Sequence, residues 1–299
     1  MPSAEISPHG PYSLRLSARH AGDATRTFVD GVLTSTLAAE GRLEQARAWQ
    51  RPDGIVCLQA GSDAGLAQLR FMLAVDDDHS PFLERFAADR LLATTITRLR
   101  GLRPLRTATV AHALLRALSG QLITAREARA TERLIVHRAT AGLSGLHAAP
   151  SAAELGRFSP AELSRLGLGA RRGAALVRLC RSLDLEALRA QPTERVAERL
   201  LRERGIGPWS VGVVCIQGLG RRERGLARDL GLVKLASALA GRRLEPEESD
   251  ALLEPYGEWA GLASVYLLAG YHAGLVGLRH EDRNSRYGKD RRVAARRAA

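Results

Sequence analysis

The run Leu200-Leu201-Arg202-Glu203-Arg204-Gly205-Ile206-Gly207-Pro208-Trp209-Ser210-Val211 is where the fold of this 299-residue chain is first legible. Ahead of it, Val196, Leu200 and Leu201 share one helical face, so a helix runs into Gly205. Glycine adopts at no steric cost the left-handed conformation that ends helices. Gly207 is followed by Pro208, and proline is favoured at the first helical position because an N–H there has no intrahelical partner. Two helices are therefore joined by a hairpin of about four residues, with a backbone bare of side chains. Such a hairpin brings its N–H groups, and the positive end of the second helix, up to a phosphate. The same Gly-x-Gly corner, taken alone, also serves as a plain connection between packed helices.

Downstream, Arg228-Asp229-Leu230-Gly231-Leu232-Val233-Lys234 opens a helix whose apolar spacing extends to Ala240. Asp229 suits its N-cap. The same place gives it a second use. The helix dipole and backbone N–H groups hold a carboxylate there in its charged form, so it stays anionic beside a developing cation. Gly205 precedes Asp229 by 24 positions, close enough for a phosphate anchor and a carboxylate to serve one nucleotide.

The composition agrees with a polyanionic partner. Lys and Arg total 44 against 32 Asp and Glu, a formal charge of +12, with a sequence pI near 10.7. Each phosphate that such a chain neutralises releases a condensed counterion. Hydrophobic residues make up 45%, enough for a core. Cys57, Cys180 and Cys215 form no CxxC and are too few for a four-thiolate iron–sulfur cluster, so buried thiols in a reducing cytoplasm are expected. Neither a secretory leader nor an apolar run of about 20 residues is visible, and a cytoplasmic protein with no membrane contact is expected.

The chain as a whole reads as α+β, with a small N-terminal β-rich domain over 1–80, a helical domain over 81–278, and a basic, disordered tail over 279–299. Tyr12, Leu14, Leu16 and Ala18 alternate with polar residues and predict a strand over Pro11–Arg19; Ile55–Ala60, after the Asp53-Gly54 turn, predicts another. Leu66, Leu69 and Leu73 recur at helical spacing. The run Asp76-Asp77-Asp78 reads as a solvated interdomain loop. Helices are predicted over Thr107–Ser119, Ile123–Ala141, Ala170–Leu183, Thr193–Glu203, Pro208–Gln217 and Asp229–Ala240.

The hairpin Gly205-Ile206-Gly207-Pro208-Trp209 and the Arg228–Lys234 stretch together resemble the signature of the helix-hairpin-helix DNA glycosylases, and most closely the DNA-3-methyladenine glycosylase II family. Gly120-Gln121-Leu122-Ile123 is similar to that family's lesion-pocket loop, and the likeness spans roughly Pro11 to Leu278. By this resemblance Asp229 is the catalytic carboxylate and Leu122 the wedge that fills the gap left by a flipped base. Gln121 and Trp209 line the base pocket, while Gly205, Gly207, Ser210 and Lys234 join Leu122 on the DNA-binding side. The resemblance implies no metal and no required cofactor, although hairpin carbonyls in this superfamily can hold a monovalent cation. It implies a monomer acting on double-stranded DNA with a damaged base.

The chemistry suits these residues. Cleaving the C1′–N bond leaves an oxocarbenium-like sugar, for which an anion such as Asp229 is the electrostatic partner. Where lyase relatives carry a Schiff-base lysine, this chain has Trp209, and its only lysines are Lys234 and Lys289. These residues together point to a monofunctional glycosylase for damaged, alkylated bases. Aromatic residues total only 4%, and positions similar to the family's pocket aromatics carry Val213, Leu230 and Leu268. A different lesion class, neutral, deaminated or bulky, is thus left open, with Tyr256, Trp259 and Tyr266 as candidates to compensate. The rival from another class is a noncatalytic DNA-binding protein that keeps the hairpin; it has no use for Asp229 at this spacing.

Overall fold

A computed structural model describes residues 1–121 and 124–276. Its N-terminal part is an antiparallel sheet of five strands: β1 (Ser3–Ile6), β2 (Arg26–Val29), β3 (Val32–Ala39), β4 (Arg42–Gln50) and β5 (Val56–Gln59), in the order β1-β5-β4-β3-β2. Two tight turns set the register. Asp30-Gly31 and Glu40-Gly41 each have positive φ at both residues, the conformation whose twist matches a hairpin's strands. Helices α1 (Leu14–Ala18) and α2 (Asp63–Leu73) supply Leu14, Leu69, Met72 and Leu73, which are buried with Leu33, Leu37 and Leu58 of the sheet.

The segment Pro11–Arg19 corrects the sequence expectation, since it is helical and not a strand. Its buried residues are Leu14 and Ala18, four apart, a spacing that fits one helical face as well as alternation. Ser13 decides between them by capping the helix, its hydroxyl accepting from the Leu16 N–H at 3.2 Å. The acidic run is also more than a solvated loop. Asp76 pairs with Arg70 at 2.6 Å, Asp77 with Arg106, and Asp78 accepts the Ser80 N–H at 2.9 Å. Nearby, the buried Arg103 donates to the carbonyls of His9, Pro11 and Ala74, and so ties the N-terminal segment to the start of the helical part.

Apart from a short antiparallel ribbon, β6 (Gly142–Leu143) and β7 (Leu146–His147), the rest is helical: α3 (Ser80–Arg85), α4 (Ala93–Arg98), α5 (Val110–Gly120), α6 (Ala125–Ala139), α7 (Ala152–Gly156), α8 (Pro160–Arg165), α9 (Ala170–Ser182), α10 (Thr193–Leu201), α11 (Pro208–Val213), α12 (Leu230–Ala240) and α13 (Ala260–His272). The expected helix Pro208–Gln217 is α-helical only to Val213 and continues as a π-helix over Val214–Leu219. α5 is the central post, with Val110, Leu114, Leu115 and Leu118 buried and α6, α9, α11 and the π-segment packed around it. A second helical cluster joins α3, α4, α12 and α13. All three cysteines are buried and free.

The sheet is tied to the helices by charge. Arg116 of α5 bonds Asp23 at 2.6 Å, Glu132 at 2.7 Å and the Gln217 side chain at 3.0 Å, while His112 bonds Glu132 at 2.7 Å. Arg26 completes the set, with Nη1 on the Arg106 carbonyl at 2.7 Å. Ions this buried persist only because each carboxylate meets several donors.

Candidate active site

The hairpin forms where expected. α10 ends at Leu201, Gly205 has φ +92°, and Pro208 begins α11. The two glycines differ in purpose. Gly205 sits where side chains are strained; Gly207 is extended, with φ −104° and ψ 177°, a backbone that any residue adopts. A Cβ added at Gly207 would meet nothing within 4 Å. The fold therefore does not ask for glycine at 207, but a phosphate closing on the α11 N-terminus would.

Asp229 caps α12. Its Oδ1 accepts the Gly231 N–H at 2.7 Å, and its Oδ2 accepts the indole N–H of Trp209 at 2.8 Å. Both donors are neutral, and Asp229 has no cationic partner among the described residues. Arg228, just before it, has φ +63°, unusual for a side-chain-bearing residue. Its guanidinium is held by Asp250 at 3.0 Å and Glu247 at 2.8 Å, which fixes the turn that presents the carboxylate. Sequence places Arg228 in the motif but gives it no such role, since nothing local reveals Glu247 and Asp250 as its partners.

Trp209 and Gln121 are both braced. The Trp209 ring lies against Gly120, where an added Cβ would come within 2.6 Å of Cη2. The Gln121 amide donates to the Gly205 carbonyl at 2.8 Å and to the Ser210 hydroxyl at 2.9 Å. Gln121 is thus a strut from the end of α5 to the hairpin. Ser210 is buried, and its hydroxyl accepts from this strut. Lys234 is exposed on α12. Leu122 and the tail 279–299 lie outside the described residues. Of the hairpin carbonyls, Gly205 O takes the Gln121 amide and Glu203 O takes the Ile206 N–H; each keeps a lone pair that a monovalent cation could use.

A solved structure, the 3-methyladenine DNA-glycosylase from Archaeoglobus fulgidus, superposes on this chain with a TM-score of 0.79, covering 90% of this chain and 98% of that one at 20% identity. This is the helix-hairpin-helix glycosylase fold. Two curated relatives match it in sequence. A probable bifunctional transcriptional activator/DNA repair enzyme AlkA from Mycobacterium tuberculosis is 28% identical over 220 residues, 70% of this chain. The match spans 43% of that relative's length. A DNA-3-methyladenine glycosylase from Bacillus subtilis is 24% identical over 205 residues, 64% of this chain and 67% of that protein. No family model matches.

Within this glycosylase fold the surroundings of Asp229 are poor in aromatics. Tyr256, Trp259 and Tyr266 do not compensate, because all three are buried in the second helical cluster, with Phe82 and Phe86 beside them. Val213 is buried in the first cluster, and Leu230 is exposed next to the carboxylate. Leu268 and His272, one turn apart on α13, stand by the start of α12: a Cβ on Gly231 would lie 2.6 Å from Leu268 Cδ2 and 3.8 Å from His272 Nε2. His272 is not legible as a neighbour of the site in the sequence, because nothing there pairs the two helices. A groove of about 290 Å³, lined by Leu201, Pro208, Val211, Asp250 and Leu253, borders the hairpin but includes neither Asp229 nor Trp209.

Proposed function

We propose that this protein is a monofunctional DNA glycosylase, hydrolysing the N-glycosidic bond of damaged, alkylated bases in double-stranded DNA as the first step of base-excision repair. The observation that carries the reading is the Trp209–Asp229 hydrogen bond, which joins the first turn after the hairpin to the carboxylate. A phosphate held at the hairpin then fixes the nucleotide relative to Asp229. A noncatalytic binder needs the hairpin but has no use for this bond.

The target base is flipped from the stack at a cost of a few kcal/mol, and Leu122 fills the gap. As the C1′–N bond lengthens, positive charge gathers on the sugar, and Asp229 meets it without a competing cation. The carboxylate orients a water that attacks C1′. An alkylated purine is already cationic and leaves without a strong acid. Hydrolysis needs no cofactor; a monovalent cation on the hairpin carbonyls would add to phosphate binding alone. The protein acts as a monomer, and what relates it to the named glycosylases is fold and motif. Mass spectrometry of bases released from methylated, deaminated and bulky-adduct DNA tests the assignment. Release of alkylated purines by the native chain, absent from Asp229→Asn, is expected; no release from any damaged DNA overturns it.

A further inference from the structure

α6 carries an arginine stripe that neither the fold nor the proposed chemistry uses. Arg126, Arg129 and Arg133 recur at three- and four-residue intervals, which places them along one face of the helix, and all are exposed. The helix has two carboxylates, and both are committed elsewhere. Glu127 closes the capping box on Thr124, with Oε2 accepting the Thr124 N–H at 3.0 Å. Glu132 is buried on the opposite side with Arg116 and His112. Among the described residues, Arg126, Arg129 and Arg133 make no ion pair, and the one hydrogen bond from their guanidiniums runs from Arg129 to the His20 carbonyl at 3.4 Å.

The stripe begins beside the site. Four peptide units separate Gln121, pinned to Gly205 and Ser210, from Ala125, so α6 starts within about 14 Å of that strut. From Arg126 to Arg133 the helix rises about 10 Å, and Arg129, between them, reaches the carbonyl of the exposed His20. Three guanidiniums in a row, without carboxylate partners among the described residues, complement a phosphodiester backbone.

We propose that the Arg126–Arg129–Arg133 face of α6 is a second phosphate-binding surface. It takes the backbone of the substrate duplex on the side of the flipped nucleotide away from the hairpin. The proposal rests on the glycosylase reading for its occupant but is measured independently of base release, on undamaged duplex DNA.

The test compares the salt dependence of binding for the native full-length chain, the triple variant Arg126→Gln/Arg129→Gln/Arg133→Gln, and a control, Arg42→Gln/Arg47→Gln, on the exposed side of the sheet. Losing three phosphate contacts lowers the magnitude of the log–log slope by about 2 to 3, whereas the control should change it by less than about one. On a second duplex that holds an abasic-site analogue, phosphate-ethylation interference should lose positions on one side of that site only. Thermal unfolding should be unchanged, because these side chains make no ion pair among the described residues. An unchanged slope in the triple variant, or an equal drop in the control, overturns the proposal. Normal slopes with no base release by the native chain would instead overturn the enzyme reading.

Discussion

The indole N–H of Trp209 donates to Oδ2 of Asp229 at 2.8 Å, across 20 positions of sequence, while the Gly231 N–H takes Oδ1 at 2.7 Å. Each carboxylate oxygen therefore has one neutral donor, which fixes its orientation while leaving its charge for the sugar. Trp209 is by this geometry a positioning residue, with its ring wedged on Gly120 and its edge on the carboxylate. Trp209→Phe keeps the ring and deletes the donor. A hydrogen bond to a charged group contributes about 1.5 kcal/mol or more, so single-turnover release should slow about tenfold with DNA affinity little changed. Unaltered release would mean that the bond does not orient Asp229.

Asp229→Asn keeps the N-cap, since asparagine caps as well, but removes the charge. Folding and lesion binding should persist, and release should slow by about 10²-fold or more, the scale of losing a key electrostatic stabiliser. Single-turnover kinetics on methylated DNA measures it, and near-normal rates would refute the mechanism.

Gly207 offers a separation of folding from binding. Because a Cβ there meets no protein atom, Gly207→Asp should fold with native thermal stability yet bind every DNA sequence more weakly, by setting a carboxylate against the phosphate. Titrations at several salt concentrations, with a melt on the same sample, would expose a failure of either half.

The product should be a free base and an intact strand carrying an abasic site, broken only by later alkali or heat. Trp209 has no nucleophilic amine, and Lys234 lies exposed on α12 beyond the first turn after Asp229. Borohydride should trap no protein–DNA adduct with the full chain or with Lys289→Arg. Rapid nicking with a trapped adduct would make the protein a lyase.

The buried ions between sheet and helices predict an acid limit. Burial by itself raises the Asp23 and Glu132 carboxyls, but Arg116, with Arg26 for Asp23 and His112 for both, outweighs it. Asp23 is held well below the usual range, and Glu132 is lowered to about 2. A carboxyl depressed in the folded state contributes stability that is present above its unfolded value and lost as pH falls through the folded one. Stability should therefore fall between about pH 4.5 and 2. Urea melts across that range should show a shallower fall in Glu132→Gln, which is also less stable near neutral pH by about 3 kcal/mol for leaving Arg116 short of a partner. An identical acid profile would show that Glu132 does not set the limit.

Much of this is written locally. Gly205 and Pro208 announce the hairpin because each answers a backbone requirement that acts within a few residues, and Asp229 announces a cap for the same reason. The hairpin of β2 and β3 is also legible in principle, because Asp30-Gly31 is a strong short hairpin signal. The error at Leu14 and Ala18 comes from a spacing common to both periods, resolved only by the Ser13 cap and by packing on the sheet.

What the sequence determined by itself was therefore the phosphate-ready hairpin, the capped carboxylate and the absence of a lysine at position 209. All are matters of residue type and short-range geometry. The tertiary structure alone decided that Trp209 braces Asp229, that Gln121 spends its amide on the hairpin, and that Tyr256, Trp259 and Tyr266 belong to the core. It also decided that Arg126, Arg129 and Arg133 are left without carboxylate partners among the described residues. Whether an aromatic ring or a charge faces a substrate, a neighbour or water depends on which helices pack together, and that is settled by contacts between residues tens of positions apart.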